Sequence, residues 1–118
     1  MSEKELHYSL RLKLFTDEKF FGPGVATLLE NVDKTHSLLK ASEEMKMAYT
    51  KALKIIKKAE KSLGYDLLIR QTGGPSGGGS KLTDNARKLI MLYRQFEREV
   101  YDLTDDCFER FRQNLKEL

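Results

Sequence analysis

Residues 70–89 read RQTGGPSGGGSKLTDNARKL and place a glycine-rich loop directly before the start of a helix. The preceding residues 65–69, YDLLI, are typical of a strand, and Lys81 with Leu82 provides a short return strand. Thr83 is a residue type that caps helix N-termini, and Asp84 follows in the first turn, where negative charge is favourable. The stretch therefore predicts a β-hairpin with a glycine-rich tip, followed at once by a helix.

Three helices are predicted upstream of this hairpin. Apolar residues recur at helical spacing over about 23–33, and Thr35 or Ser37 caps a short second helix. The third helix covers about 47–63, and Gly64 is placed to end it. A short helix followed closely by a longer, lysine-rich one indicates a helix-turn-helix.

The N-terminal region carries an apolar residue at every second position, at Tyr8, Leu10, Leu12 and Leu14. This alternation predicts a half-buried strand, which we expect to pair with the hairpin in a three-stranded sheet. The whole order predicts a mainly α-helical winged helix-turn-helix with a small β-hairpin or three-stranded sheet. Residues 1–82 would form the DNA-binding domain, and residues 83–118 a C-terminal dimerisation helix.

The C-terminal helix carries a heptad seam. The seam begins at Ala86, and we expect its later members to form a homodimer interface: Leu89, Tyr93, Phe96, Val100, Leu103 and Cys107. The alternative is a break near residues 103–104, which would fold the helix back and bury the seam within a monomer. Cys107 is the only cysteine, so it forms no internal disulfide, and we expect it to be a small buried apolar residue.

Net positive charge is concentrated in the middle of the 118-residue chain. Its formal net charge is +3, but the nine basic and four acidic residues of 34–72 give this segment +5. Such a local basic surface suggests a polyanionic partner. The chain has no apolar run of membrane-spanning length and its first residues lack an apolar signal region, so we expect a cytoplasmic protein with no membrane partner.

The third helix carries Lys51, Lys54, Lys58 and Lys61 on one face, because their separations are 3, 4 and 3 residues. A lysine-lined helix of this kind enters the major groove and neutralises phosphates of double-stranded DNA. Its N-terminal end, which usually meets base edges, contains Ala48, Tyr49 and Thr50. The alternative is that these lysines only solvate an outer helix face.

The glycine-rich loop has three interpretations. A phosphate-binding loop is disfavoured because Ser80 and Lys81 follow Gly79 where the motif requires Lys and then Ser or Thr. A flexible linker has this composition, but strand-like residues precede it and a capped helix follows at once. The favoured interpretation is a wing tip, where small residues let the backbone approach DNA phosphates closely.

No catalytic arrangement stands out. His7 and His36 are the only histidines, and neither has a Cys, Asp or Glu neighbour at metal-ligand spacing. The acidic pairs at 43–44 and 105–106 diverge on helices instead of converging on one site. We therefore expect no enzyme activity, no metal site and no cofactor.

Over residues 10–92 the sequence resembles the N-terminal winged-helix domain of the ModE regulators, a molybdate-responsive family related to the LysR-type winged helices. The resemblance is most specific at the wing and at the start of the third helix. The wing 70–83, RQTGGPSGGGSKLT, is similar to the family's arginine, glycines and Leu-Thr. Residues 47–53, MAYTKAL, are similar to its recognition-helix start. The resemblance implies a dimer with DNA contacts from this helix start and from the wing. The full set of expected DNA-binding residues is Ser37, Ala48, Tyr49, Thr50, Lys51, Lys54, Lys58, Arg70, Thr72, Gly73 and Gly74.

Two departures from the family's pattern bear on function. Met45 and Lys46 stand where the family usually has Ala-Gly, and a lysine is unfavourable there if the position needs a left-handed backbone. Ala48, Thr50 and Leu53 replace the family's Ser, Lys and Trp, so the operator is expected to differ. The chain also ends at Leu118, without the family's molybdate-binding domains, and no direct molybdate binding is expected. The hypothesis is a sequence-specific DNA-binding regulator. The alternative is a protein interaction module that uses the heptad helix, with an incidental basic face.

Overall fold

The computed structural model describes residues 4–71 and 79–118. The elements in chain order are β1 (Leu14–Phe15), β2 (Lys19–Phe21), α1 (Pro23–Thr35), α2 (Leu38–Glu44), α3 (Tyr49–Leu63), β3 (Leu68–Gln71), β4 (Gly79–Leu82) and α4 (Asp84–Leu115). The predicted order of three helices, hairpin and long helix is confirmed. The fold is a mainly helical winged helix-turn-helix with a long C-terminal helix.

Local sequence signals set the ends of the first three helices. Pro23 occupies the first turn of α1, and the helix ends at His36 in the left-handed region, with φ 58°. The hydroxyl of Ser37 accepts a hydrogen bond from the backbone N–H of Lys40 at 3.1 Å and so caps α2. Gly64 ends α3 with φ 83°, as expected for a residue without a Cβ.

Thr83 both starts α4 and attaches it to the hairpin. Its Oγ1 accepts from the backbone N–H of Ala86 at 3.0 Å and donates to the carbonyl of Asp66 at 2.8 Å. Its own N–H donates to the carbonyl of Leu67 at 3.0 Å. The predicted cap is confirmed, and the same residue holds the strand entry against the helix start.

The hydrophobic core is built around α1. Leu28, Leu29 and Val32 are fully buried, and α1 contacts α2, α3, α4 and β4. The ring of Phe21 meets that of Tyr93 edge-on at 5.0 Å between centroids. Burying side chains of this size stabilises a fold by about 1.5–3 kcal/mol each, so the contacts of α1 hold the domain together.

The expected three-stranded sheet is wrong. Within the described residues β1 pairs with β2, β3 pairs with β4, and the two antiparallel pairs are separate sheets. The residues before β1 lie along α4 instead, where the hydroxyl of Tyr93 donates to the carbonyl of Leu12 at 2.7 Å and that of Tyr101 donates to the carbonyl of Leu10. Tyrosine hydroxyls therefore take the place of a strand partner for these carbonyls.

The far end of this N-terminal segment is also held by α4. The hydroxyl of Tyr8 hydrogen-bonds Thr104 at 2.8 Å and donates to Asp105, and its ring lies 4.9 Å from that of Phe108. Tyr8, Leu10 and Leu12 are half-buried while their neighbours are exposed, so the alternating pattern is real. It is directed at a helix instead of a sheet.

Helix α4 is continuous, without the break near residues 103–104 that the monomer alternative requires. Its 32 residues extend about 48 Å at 1.5 Å per residue. Arg94 fixes it to α1 through hydrogen bonds to Glu30 at 2.7 and 3.2 Å and to Thr27 at 3.1 Å. Hydrogen bonding to Glu30 raises the pKa of Arg94 above its ordinary value.

Tyr93 should make the fold sensitive to alkaline pH. Burial raises the pKa of its hydroxyl from 10.0 to about 12, so the folded state holds this proton more tightly than the unfolded state does. The resulting stabilisation is complete below pH 10 and is lost as the pH rises toward 12. Tyr93→Phe should lower stability by about 1 kcal/mol at neutral pH and reduce the decline above pH 10, measured by urea unfolding.

The control is Tyr65→Phe. Tyr65 is half-buried, and its hydroxyl forms no hydrogen bond within residues 4–71 and 79–118. An equal loss of stability in both variants would show that the bond between Tyr93 and Leu12 contributes nothing specific.

Candidate nucleic-acid interface

The turn between α2 and α3 is tight. The backbone N–H of Met47 donates to the carbonyl of Ser42 at 2.9 Å, and the buried Ser42 hydroxyl donates to the carbonyl of Leu39 at 2.7 Å. Lys46 has φ 54°, a left-handed conformation that is energetically unfavourable for a residue with a Cβ. The turn sets α3 against α2 in the geometry of a helix-turn-helix.

Helix α3 has one buried and one polar face. Ala52, Ile56 and Ala59 are buried against the core. All four residues of the predicted lysine stripe are exposed: Lys51, Lys54, Lys58 and Lys61. Thr50 and Lys57 of the same helix are exposed as well. The prediction that these lysines share an outer surface is confirmed. That this surface contacts DNA stays a prediction.

The only carboxylate of α3 is turned away from this outer surface. Glu60 accepts hydrogen bonds from the backbone N–H groups of Leu67 at 2.7 Å and Leu68 at 3.3 Å. It thereby connects α3 to the entry of β3. One lysine does have a partner, since Lys58 lies 3.2 Å from Glu18, but both side chains are largely exposed and such pairs contribute little.

A groove brings together predicted site residues from three separate parts of the chain. Ser37 before α2, Tyr49 at the start of α3 and Arg70 in β3 line one concavity of about 440 Å³. Ala48 precedes α3 in extended conformation and is exposed. The predicted residues Thr72, Gly73 and Gly74 lie outside the described part of the chain.

The hairpin is held against the junction of α1 and α2 by a close backbone approach. The N–H of Ser80 donates to the carbonyl oxygen of His36 at 2.9 Å. A Cβ at Gly79 would lie 2.8 Å from that same oxygen, so only glycine fits there. Sequence reasoning assigned this glycine to a phosphate-approaching tip and missed its packing role, because nothing local connects residue 79 with residue 36.

Sequence reasoning also missed a group of cations from the N-terminal region. Arg11, Lys13 and Lys19 line one pocket together with Lys51 and Lys58 of α3. The segment 1–33 has an excess of acidic residues, so segment charge gave no signal for this cluster. It becomes visible only when the N-terminal residues are placed beside α3.

The expected dimer residues divide into two groups on α4. Tyr93 is only 3% exposed and Leu89 is half-buried against the core, so their own chain already covers them. Phe96 is 45% and Leu103 69% exposed, with Val100 half-buried between them. Cys107 is exposed in the single chain, contrary to the expectation that it is buried.

The exposed part of this seam has two apolar neighbours outside its seven regular heptad positions. Leu92 and Phe111 are 56% and 54% exposed. Leu92, Phe96 and Leu103 are 4 and 7 residues apart, so they return to one face of the helix. The outer face of α4 is therefore an apolar stripe beside the face that packs on the N-terminal segment.

A three-helix core, a tight turn before an exposed basic helix and a hairpin beside it define a winged helix-turn-helix protein. No protein-family model matches the chain. The chain is a relative of the ModE regulators, as its wing and recognition-helix sequences predicted. It is 34% identical over 67% of its length to the transcriptional regulator ModE of Haemophilus influenzae, and 30% identical over 73% to a molybdenum transport protein ModE of Azotobacter vinelandii.

A third relative is the Escherichia coli protein named DNA-binding transcriptional dual regulator ModE, with 29% identity over 86% of this chain. The chain spans only about a third of the length of these curated relatives, since the matched region covers 31–38% of each. Two of these names describe transcriptional regulators, a role that is not enzymatic, in agreement with the expectation from the sequence.

The structure also bears on metals and membranes. In residues 4–71 and 79–118 no group of three or more His, Cys, Asp or Glu side chains is arranged to hold a metal ion. No helix in the same residues combines the length and the apolar character needed to cross a membrane.

The left-handed residue in the turn gives a stability prediction. Lys46→Gly should stabilise the fold by about 0.5–1 kcal/mol, because a left-handed backbone costs an L-residue about 1–2 kcal/mol and the extra entropy of unfolded glycine offsets part of this gain. Lys40→Gly within α2 should act in the opposite direction and destabilise by about 1 kcal/mol. Chemical denaturation of both variants measures the change in the free energy of unfolding. A loss of stability in both variants would show that the backbone at Lys46 is not strained.

Proposed function

We propose that this chain is a sequence-specific transcriptional regulator that binds double-stranded DNA as a homodimer. Helix α3 would lie in the major groove and the wing beside it would contact the backbone. The observation that carries the proposal is the outer surface of α3, which exposes five lysines while its single carboxylate is bonded to β3. Such a surface attracts phosphates whatever the base sequence, and binding by it releases counterions.

Sequence preference would come from the start of α3. Ala48, Tyr49 and Thr50 stand at the end of the helix that usually meets base edges, and Tyr49 shares a groove with Ser37 and Arg70. The Ser37 side chain, at the start of α2, would contact the DNA backbone on one side of that groove. Thr72, Gly73 and Gly74 are included among the proposed DNA-binding residues on the basis of the sequence alone.

The wing would supply a second contact. Arg70 is exposed on β3, and β4 is held in place by the contact between Gly79 and His36. An arginine on a hairpin that is held against the junction of α1 and α2 is suited to a phosphate or to the minor groove, since its fork donates several hydrogen bonds. The wing and α3 would then contact the duplex at two separate places.

The names of the relatives support this function. The Escherichia coli relative is named as DNA-binding, and the Haemophilus influenzae relative as a transcriptional regulator. The name of the Azotobacter vinelandii relative refers to molybdenum. The present chain spans only about a third of these proteins, so direct molybdate binding is not carried over, and its absence stays a prediction.

The dimer rests on the outer face of α4. Leu92, Phe96, Leu103 and Phe111 are all more than two-fifths exposed, which is unusual for a contiguous apolar stripe on a monomer. Val100 and Cys107 complete the stripe, while Tyr93 and Leu89 support it from the core side. A second copy of the same helix presents a matching apolar surface, as a two-fold interface requires.

Two-fold symmetry also explains how a small reading head gains specificity. A dimer through α4 would present two copies of α3 to one duplex, at a separation of about one helical turn of DNA, near 34 Å, or a multiple of it. The operator would then be palindromic. The rival function is a protein interaction module, favoured by the same apolar stripe if the lysines only solvate α3.

One experiment separates these functions. The full chain is used to select duplexes from a random pool, and binding of the enriched sequence is then titrated with salt. A regulator enriches a single motif of palindromic form with a steep salt dependence. No enrichment over several rounds would leave only the interaction module.

The lysine surface predicts a specific change in this salt dependence. Lys54→Ala with Lys58→Ala should weaken binding to all duplexes and reduce the slope of log affinity against log salt by about one to two units, because two phosphate contacts are lost. Lys88→Ala with Lys116→Ala removes the same charge from α4 and from the residue that follows it, and serves as control. Equal slopes for the two double variants would show that α3 does not touch the phosphates.

The apolar stripe predicts a dimer that one charge disrupts. Leu103→Glu should convert the protein to monomers in sedimentation equilibrium, since Leu103 is 69% exposed at the centre of the stripe. Met91→Glu is the matched control, because Met91 is 60% exposed and lies about 120° away around the helix. A 13.6 kDa species for the unmodified chain at micromolar concentration would exclude the dimer.

A further inference from the structure

A second concavity lies on the side of α3 that faces the N-terminal region. It has a volume of about 500 Å³ and is lined by residues from before β1, from β2, from the start of α1 and from α3. We call it the N-terminal pocket. Its size is within the range of 300–1,000 Å³ that is usual for small-molecule sites.

The N-terminal pocket combines an apolar wall with a positive border. Phe20, Val25, Met47 and Ile55 are half-buried and pack on the core. The cationic lining residues are all exposed: Arg11, Lys13, Lys19, Lys51 and Lys58. Within the described residues only Lys58 of these five forms an ion pair, with Glu18 at 3.2 Å. The pocket therefore has a large excess of positive charge beside an apolar surface.

The backbone at the start of α1 adds to this character. Gly22 is the N-cap and offers no side chain to the first-turn amides. Apart from its chain neighbours and the backbone of its own helix, no atom lies within 4 Å of the place where a Cβ of Gly24 would be, so there is open space at this pocket residue. A helix N-terminus carries partial positive charge, which reinforces the lysines around it.

We propose that the N-terminal pocket binds a small amphipathic anion, with one carboxylate or phosphate head and a short apolar body. The head would meet the cations, and the body would cover the apolar wall. DNA phosphates satisfy only the first of these two features, because a duplex backbone leaves an apolar wall uncovered. Both features together fit a small ligand better than they fit the duplex backbone.

Ligand binding and DNA binding would compete. Lys51 and Lys58 belong both to the pocket and to the lysine surface of α3. An anion that engages them lowers the positive charge that α3 offers to phosphates, and by linkage DNA lowers the affinity for the anion by the same factor. This regulatory part rests on the proposed DNA binding, whereas the ligand site itself does not.

The first test uses the full chain and three probes of related chemistry. Submicellar octanoate carries both head and body, acetate only the head, and 1-octanol only the body. Backbone amide signals in two-dimensional NMR report binding. We expect saturable shifts at Gly24, Val25 and Ile55 with octanoate, and an affinity at least about tenfold weaker for acetate and 1-octanol.

The second test separates the pocket from the rest of the positive surface. Lys13→Glu with Lys19→Glu should weaken octanoate binding by about tenfold or more, because charge-assisted contacts at the pocket are lost and like charge is introduced. Lys54→Glu with Lys61→Glu makes the same change of charge on α3 outside the lining residues, and should leave octanoate affinity within about twofold. Amide spectra without ligand confirm that both variants are folded.

Four outcomes would overturn the proposal. Equal affinity for acetate indicates a bare anion site, and shifts confined to the stripe on α4 place the ligand elsewhere. Equal weakening in both double variants indicates unspecific charge attraction. Absent octanoate binding, together with DNA binding that falls in the Lys13 and Lys19 variant, assigns the cluster to DNA phosphates. Since the probe experiments contain no DNA, a failure of the proposed function leaves their result intact.

Discussion

The carbonyl oxygen of His36 is the point at which α1, α2 and the hairpin meet. His36 ends α1 in a left-handed conformation, and its oxygen accepts from Ser80 at 2.9 Å. Gly79 lets β4 come this close, because any Cβ there would overlap the oxygen. Ser37 caps α2 at the next residue, so one junction sets the distance between the helix-turn-helix and the wing. The groove that contains Tyr49 and Arg70 exists because of this contact.

The electrostatic character of α3 follows from a second contact. Five lysines on one short helix repel one another, and a nearby carboxylate would normally be placed to relieve this. The carboxylate of Glu60 instead accepts two backbone N–H groups at the entry of β3. The same bonds that position the hairpin thus keep the outer surface of α3 positive, so structural support and attraction for polyanions have one origin.

Helix α4 serves two surfaces at once. One face holds the domain through Arg94 and binds the N-terminal segment through the hydroxyls of Tyr93 and Tyr101. The adjacent face carries the exposed apolar stripe. The segment before β1 contacts both α4, through Tyr8, and the N-terminal pocket, through Arg11 and Lys13.

The sequence by itself determined the caps of the helices, the order of the three helices, the wing hairpin and the long helix, and the buried face of α3. Caps such as Ser37 and Thr83 and a stop such as Gly64 act on residues three or four positions away, so local sequence contains the whole interaction. The relationship to the ModE regulators could also be recognised from the sequence, since the wing and the start of α3 are short contiguous motifs.

Tertiary structure alone decided what covers each apolar face. The alternation of Tyr8, Leu10 and Leu12 shows that one side is buried but not whether a strand or a helix buries it. The seam of α4 likewise cannot reveal that Tyr93 packs inward while Leu103 stays exposed, because a heptad repeat is the same for both. The gathering of Lys13, Lys19 and Lys51 around one pocket depends on the path of the chain through space, which local patterns do not encode.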